Sequence, residues 1–252
     1  MSESVTAVLF DVDGTLVDSN YLLAVTWWEA FSQAGHDVAM ADIHRAIGMG
    51  SDLMLDELLP RDRDTDQDDS LRTAHSALYS TYWSRLRPLR GAADLLRACK
   101  QHGLTVVLAS SAGQPEFRAL RAALDAEDAI DEATFSGDVE RSKPAPDLVQ
   151  VALDKAGVPA GQAVFVGDTV WDVQAAHKAG VRCVCLLSGG ISRGELTDAG
   201  ATDIYDDPAD LLSHFPGALI GPPDPPPPAP CPTSAPPHEQ KPHFPPPGPV
   251  AR

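Results

Sequence analysis

The stretch Val5-Thr6-Ala7-Val8-Leu9-Phe10-Asp11-Val12-Asp13-Gly14-Thr15-Leu16 decides the fold. Its apolar first half reads as a short strand buried on both faces. Two carboxylates follow one residue apart, so Asp11 and Asp13 leave the strand end on the same side of the backbone. Burying both is costly unless a positive group lies between or beside them. A hard, oxygen-preferring cation such as Mg²⁺ suits a carboxylate together with a backbone carbonyl. Taken alone, the same residues also read as a strand end followed by an ordinary Asp-Gly turn.

Outward from this stretch, short apolar runs alternate with helical patterns, the signature of a parallel sheet flanked by helices. Further strands are expected at Thr105 to Ala109, Ala163 to Val166 and Arg182 to Leu187, with weaker ones near Thr134-Phe135 and Ile204-Tyr205. Pro115-Glu116 and Pro146-Asp147 open helices, while Gly103, Gly157, Gly180 and Gly200 lie just past the ends of four. Between Leu16 and about Pro88 the pattern is helical alone, with Trp27, Trp28, Phe31, Leu53, Leu55, Leu58, Leu78, Tyr82 and Trp83 as its expected core. We therefore expect a helical domain over residues 16–88, inserted into a core of residues 1–15 and 89–216. The acidic run Asp62 to Asp69 reads as a solvated loop or helix face, since it lacks the Gly and terminal Glu of a calcium loop.

Sixteen of the 23 prolines lie from Pro216 onward. Such a composition cannot fill a packed core, so residues 217–252 are expected to be a disordered tail, with a proline-binding protein partner as a lesser alternative to a solvated spacer. At a formal net charge of -17, partnership with nucleic acid or an anionic membrane is disfavoured. The N-terminus shows no export signal and no run suits a membrane helix. Cys99, Cys183, Cys185 and Cys231 have no C-x-x-C spacing and read as reduced packing residues, which suggests a cytoplasmic protein.

Three more polar groups fall at the carboxyl ends of expected strands: Ser110-Ser111, Lys143 in Ser142-Lys143-Pro144, and Asp168 in Gly167-Asp168-Thr169-Val170-Trp171-Asp172. In an open parallel sheet those ends meet along one crevice, where ligands bind. Each has a plainer reading: Ser110 or Asp168 as a helix cap, Lys143 as a surface lysine. Their coincidence with successive strand ends makes the plain readings improbable together.

In order, Asp11-Val12-Asp13-Gly14-Thr15, Ser110, Lys143 and Gly167-Asp168-x-x-x-Asp172 resemble the four motifs of the haloacid dehalogenase superfamily, over about residues 5 to 216. Ser142-Lys143-Pro144-Ala145-Pro146-Asp147 and the helical insertion resemble its branch containing phosphoglycolate phosphatase and beta-phosphoglucomutase. The resemblance implies an α/β fold with a Rossmann-like, doubly wound parallel sheet of order 5-4-1-2-3 and a mobile all-helical cap. It implies Asp11 as nucleophile, Asp13 as general acid and base, and Ser110 and Lys143 as holders of the phosphoryl oxygens. Mg²⁺ would be held by Asp11, Asp13 through its carbonyl, and Asp168, with Asp172 supporting Lys143 or a metal-bound water. Backbone N–H groups of the Asp13 to Thr15 turn, Gly14 and Thr15 among them, would also hold phosphate.

For the rest of the substrate, Ser111, Gly113, the hinge residues Asp18 to Tyr21 and the segment His44 to Ser51 are candidate contacts, with Arg45 offered for a carboxylate or second phosphate. The expected activity is hydrolysis of a small soluble phosphate monoester, of sugar phosphate or phosphoglycolate type. Dehalogenation is disfavoured because Asp13 is present. A phosphosugar mutase is the alternative, weakened because the mutase's hinge histidine falls at Leu23 and its cap arginine near Asp52.

Overall fold

The computed structural model describes residues 4–221. Its centre is a six-stranded parallel sheet in the order β3-β2-β1-β4-β5-β6. The strands are β1 (Ala7–Phe10), β2 (Thr105–Ala109), β3 (Glu132–Thr134), β4 (Ala163–Gly167), β5 (Arg182–Leu186) and β6 (Asp203–Tyr205). The expected order of five is present, and β6 extends it beyond β5.

Period-two side-chain alternation builds two separate cores from continuous apolar runs. Val8, Phe10, Val106, Leu108, Val164, Val166, Val184 and Leu186 face one side. Ala7, Leu9, Val107, Ala109, Phe165, Cys183 and Cys185 face the other, so the two strand cysteines are packing residues. Helices α7 (Asp147–Ala156), α8 (Val170–Lys178) and α9 (Arg193–Ala199) cover the second side through Leu148, Val149, Val173 and Leu196. On the first side lie α5 (Ala92–Gln101), α6 (Gln114–Leu124), α10 (Pro208–Ser213) and α11 (Gly217–Ile220). Truncating fully buried Phe165 to Ala would cost about 3–5 kcal/mol.

Between β1 and β2 the chain forms α1 (Asn20–Gln33), α2 (Met40–Ala46), α3 (Ser51–Leu58) and α4 (Asp68–Ser80). Their apolar faces join the same core that lines the first side of the sheet. The buried stripe of α1 is Leu23, Ala24, Trp27, Ala30 and Phe31, which turns Trp28 outward at 39% exposure. Leu53 is likewise exposed, while Met54 and Leu55 are buried. On α4 the buried row is Leu71, His75 and Tyr79, one residue past the expected Leu78. Leu58, Leu78, Tyr82 and Trp83 are half-buried.

Two further expectations change. The acidic run is not uniformly solvated: Asp68 is buried, and Arg63 grips it at 3.0 and 2.8 Å while reaching Asp56 at 2.7 Å. Packing also continues past Pro216, because α11 buries Leu219 completely and Arg182 binds its carbonyl. The proline-rich remainder, residues 222–252, and the partner suggested for it lie outside the described residues.

Candidate active site

Three strand ends and one loop deliver the chemistry to the carboxyl edge of the sheet. Asp11 follows β1, Ser110 follows β2 and Asp168 follows β4, all buried. Lys143, from the loop preceding α7, is 1% exposed, and its Nζ donates to Asp11 Oδ1 at 2.6 Å and to Asp172 Oδ1 at 2.7 Å. Burial alone would drive off its proton, but the Asp11 and Asp172 charges outweigh it and raise the ammonium above its ordinary value.

Asp172 is fixed by the start of α8. Thr169 is the N-cap, and Asp172 Oδ2 accepts from the Thr169 N–H at 3.0 Å and the Thr169 hydroxyl at 2.7 Å. Asp168 is thereby spared the capping role. Instead its Oδ1 accepts from Thr15 Oγ1 at 2.8 Å and its Oδ2 from Asn20 Nδ2 at 2.8 Å. Thr15 reaches Asp11 Oδ2 only at 3.5 Å.

The carboxylates of Asp11, Asp168 and Asp172 lie within 4.8 Å of one another, all buried. Three buried acids thus share one buried ammonium, an imbalance of two charges. Burial pushes the Asp11 and Asp168 carboxyls upward, and neighbouring carboxylates add to it. A divalent cation offsets this imbalance, and oxygen donors suit Mg²⁺. With Asp172 committed to Lys143 and Thr169, Asp11 and Asp168 are the side chains left to hold it. Asp13, half-buried, is raised by burial, while the Ser19 hydroxyl at 2.6 Å, the Lys143 charge and the Ser110 hydroxyl pull it back.

These elements coincide with what comparison finds. Residues 5–180 match the haloacid dehalogenase-like hydrolase model. The chain belongs to the haloacid dehalogenase-like hydrolases. It is 32% identical over 217 residues to a phosphoglycolate phosphatase of Rhodospirillum rubrum, covering 81% of this chain and 88% of that protein. It is 31% identical over 208 residues to the Arabidopsis thaliana protein SUPPRESSOR OF QUENCHING 1, chloroplastic, covering 81% of this chain but 20% of that protein. A crystal structure of a hydrolase from Pseudomonas syringae superposes with a TM-score of 0.80 at 36% identity, over 83% of this chain and 97% of that one.

The hydrolase's cleft, of about 280 Å³, has Asp11, Asp13 and Lys143 on its floor. This volume lies just below the roughly 300–1,000 Å³ usual for ligand sites, which suits a small molecule. Ser111 and Gly113 line it as expected, and Ser111 Oγ donates to the Gly48 carbonyl at 3.3 Å. The segment Ile47 to Ser51 lines it too.

Arg45 does not. It lies in a separate recess beside Trp171, its Nε 3.3 Å from Glu195 and its carbonyl accepting from Trp171 Nε1 at 2.9 Å, because the buried side of α2 belongs to Ile43 and Ala46. The role expected of the Gly14 N–H also shifts. The Gly14 N–H donates to the Val17 carbonyl at 2.8 Å, and the Thr15 hydroxyl is committed to Asp168. Gly14 has φ +72°, and a Cβ there would lie 2.2 Å from Asn20 Nδ2 and 2.4 Å from Asp168 Oδ2. Its smallness serves the packing of Asp168 rather than the ligand.

Sequence reasoning missed several residues of the hydrolase's site. Gly189 sits where a Cβ would fall 1.7 Å from Asp168 Oδ2, and its carbonyl accepts from His44 Nε2 at 2.9 Å. The signal was the Ser188-Gly189-Gly190 turn after the fifth strand. On the opposite wall, His75 stacks on Trp27 with ring centres 4.0 Å apart and meets Thr26 Oγ1 at 3.2 Å. Burial lowers the His75 imidazole to about 3, so it stays neutral. Its signal was the i, i+4, i+8 row Leu71, His75, Tyr79. Glu116, taken only as a helix opener, also lines the cleft.

Proposed function

We propose that this hydrolase is a Mg²⁺-dependent phosphatase that cleaves a small phosphate monoester through phosphorylation of Asp11. The observation that carries the reading is a buried carboxylate held by a buried lysine at the floor of a small cleft, with a second carboxylate, Asp13, in the same cleft. Asp11 attacks phosphorus and the ester oxygen leaves, so one difficult displacement becomes two easier ones. Asp13 protonates the departing alcohol and then takes a proton from the water that releases phosphate. Its raised carboxyl favours the protonated form that the first step needs, and Ser19 orients it. Lys143 and the Ser110 hydroxyl hold phosphoryl oxygens, and Asp172 keeps Lys143 in place. Mg²⁺, held by Asp11, the Asp13 carbonyl and Asp168, would neutralise charge so that one anion can approach another. The helices between β1 and β2 act as a cap that bounds the rest of the substrate.

Leu23 lines the cleft where the mutase resemblance calls for a histidine, which favours hydrolysis over isomerisation. Phosphate release from a panel of aryl, sugar and glycolate phosphates, with and without chelator, tests the reading. Turnover should vanish with chelator. Asp11→Asn should lower it on the order of 10³-fold or more with the fold intact by circular dichroism. Excess Mg²⁺ should also raise the thermal midpoint of the wild type and not that of Asp168→Asn, by preferential binding to the native state. Isomer formation without phosphate release would instead favour the mutase reading, and a chelator-resistant wild type would remove the metal from it.

A further inference from the structure

On the Mg²⁺ reading just given, Asp168 has to present its carboxylate to the ion in one orientation, and a residue outside the acidic group sets it. Asn20, the first residue of α1, is 3% exposed. Its Nδ2 donates to Asp168 Oδ2 at 2.8 Å and to the Gly189 carbonyl at 3.3 Å. Both neighbours are acceptors, so the amide cannot be turned over. Its Oδ1 is buried with no hydrogen-bond partner among the described residues. A half-satisfied buried amide costs stability that an apolar side chain of the same size would not. What the amide supplies in return is a second anchor for Asp168. Thr15 Oγ1 donates to the other oxygen, Oδ1, at 2.8 Å. One donor on each oxygen fixes the rotation of the carboxylate and still leaves a lone pair on each for a cation. Two glycines keep the slot open in which amide and carboxylate meet: a Cβ at Gly14 would lie 2.2 Å from Asn20 Nδ2, and one at Gly189 1.7 Å from Asp168 Oδ2. The helix start gives up its own capping as well, since Ser19, the N-cap, makes no side-chain cap hydrogen bond and spends its hydroxyl on Asp13.

We propose that Asn20 is a positioning residue for the metal: its Nδ2 holds Asp168 in the orientation in which it binds Mg²⁺, and its Oδ1 is a buried acceptor for the ion's water shell. Hydrogen-bond partners of metal-binding carboxylates govern metal affinity by about 10- to 100-fold. Mg²⁺ bound by carboxylates keeps several waters, each with hydrogens to place. An uncharged amide accepts one without adding a charge to the three acids already buried there. A carboxylate in the same place would accept equally well and could not donate to Asp168. With Asn20 removed, Thr15 is left as one donor on one oxygen, about which the carboxylate can turn.

Asn20→Ala removes donor and acceptor together. Mg²⁺ binding to the full chain, measured by titration calorimetry without substrate, should weaken about tenfold relative to wild type. The Mg²⁺ concentration that half-activates hydrolysis of 4-nitrophenyl phosphate should rise by the same factor, with kcat at saturating Mg²⁺ within about threefold of wild type. A merely structural role would lower the thermal midpoint of the metal-free protein and leave Mg²⁺ affinity alone. Unchanged affinity in a folded Asn20→Ala therefore overturns the proposal, whatever its turnover. Should the variant fail to fold, wild type decides. Mg²⁺ should slow amide hydrogen exchange at Leu23 and Ala24, in the first turn of α1, by a larger factor than in β6. Equal factors in the two places overturn the proposal. The phosphatase reading is judged separately: a wild type that binds Mg²⁺ and hydrolyses no phosphate ester removes that reading and leaves the role of Asn20, whereas one that binds no Mg²⁺ removes both.

Discussion

The floor of the cleft and its helical wall are built on opposite principles. On the floor, Asp11, Lys143, Asp168 and Asp172 are ionisable groups, all buried, each held by at least one side-chain hydrogen bond. On the wall, His75, Trp27 and Tyr79 form a neutral stack with near-parallel rings, and the other polar groups are hydroxyls, one guanidinium and the Glu116 carboxyl. A buried charge network tolerates no missing member, because each deletion leaves an uncompensated ion. A neutral stack can exchange one face for another at modest cost. The floor is suited to fixed chemistry and the wall to choice of substrate.

That contrast breaks first at Lys143. Lys143→Met should cost about 3–5 kcal/mol in urea-monitored stability, since three buried carboxylates lose their only buried cation. Activity should go with it. A loss below about 1 kcal/mol would mean that the floor is not held by charge.

On the wall, pH is the sharper probe. The His75 imidazole is depressed from 6.5 to about 3 by burial, so between those values the unfolded chain binds a proton that the native chain does not. Stability from this residue is therefore complete above about pH 6.5 and is lost as pH falls toward 3, with a slope of at most about 1.4 kcal/mol per pH unit. In urea melts at pH 4 to 7, His75→Gln should flatten that slope relative to wild type. Equal slopes would show that His75 can charge in place.

The smallest effect is expected outside both regions. The Arg45 and Glu195 side chains are 60% and 41% exposed, and surface pairs contribute roughly 0–1 kcal/mol. Arg45→Ala should change kcat/KM less than about twofold across substrates. A larger loss for anionic substrates would return Arg45 to the binding role that its position in the sequence suggests.

What could be read in the sequence follows from the same division. Strand ends announce themselves, because apolar runs of four or five residues stop at Asp11, Ser110 and Asp168, and a parallel sheet brings those stops together. Lys143 was legible through its place in that order. The wall was not, because helical periodicity identifies a buried stripe without saying whether it faces core or cleft, and an error of one residue exchanges Leu78 for Tyr79. Arg45 misled because a charged residue beside two glycines looks like a ligand contact, while α2 presents Ile43 and Ala46 inward. Glu116 was hidden behind its helix-starting role.

Ser19 and Asn20, at the entry to α1, each reach into the floor: one hydroxyl to Asp13 at 2.6 Å, one amide to Asp168 at 2.8 Å. The return passage is stitched alongside, with the Asp18 N–H on the Arg87 carbonyl at 3.0 Å and the Leu89 N–H on the Leu16 carbonyl at 2.8 Å. Any swing of the helices must therefore bend beyond Asn20, or else let go of Asp13 and Asp168 together. Access and order are mechanically linked: helices displaced far enough to uncover the cleft by that second route would leave behind a floor with two of its carboxylates unheld.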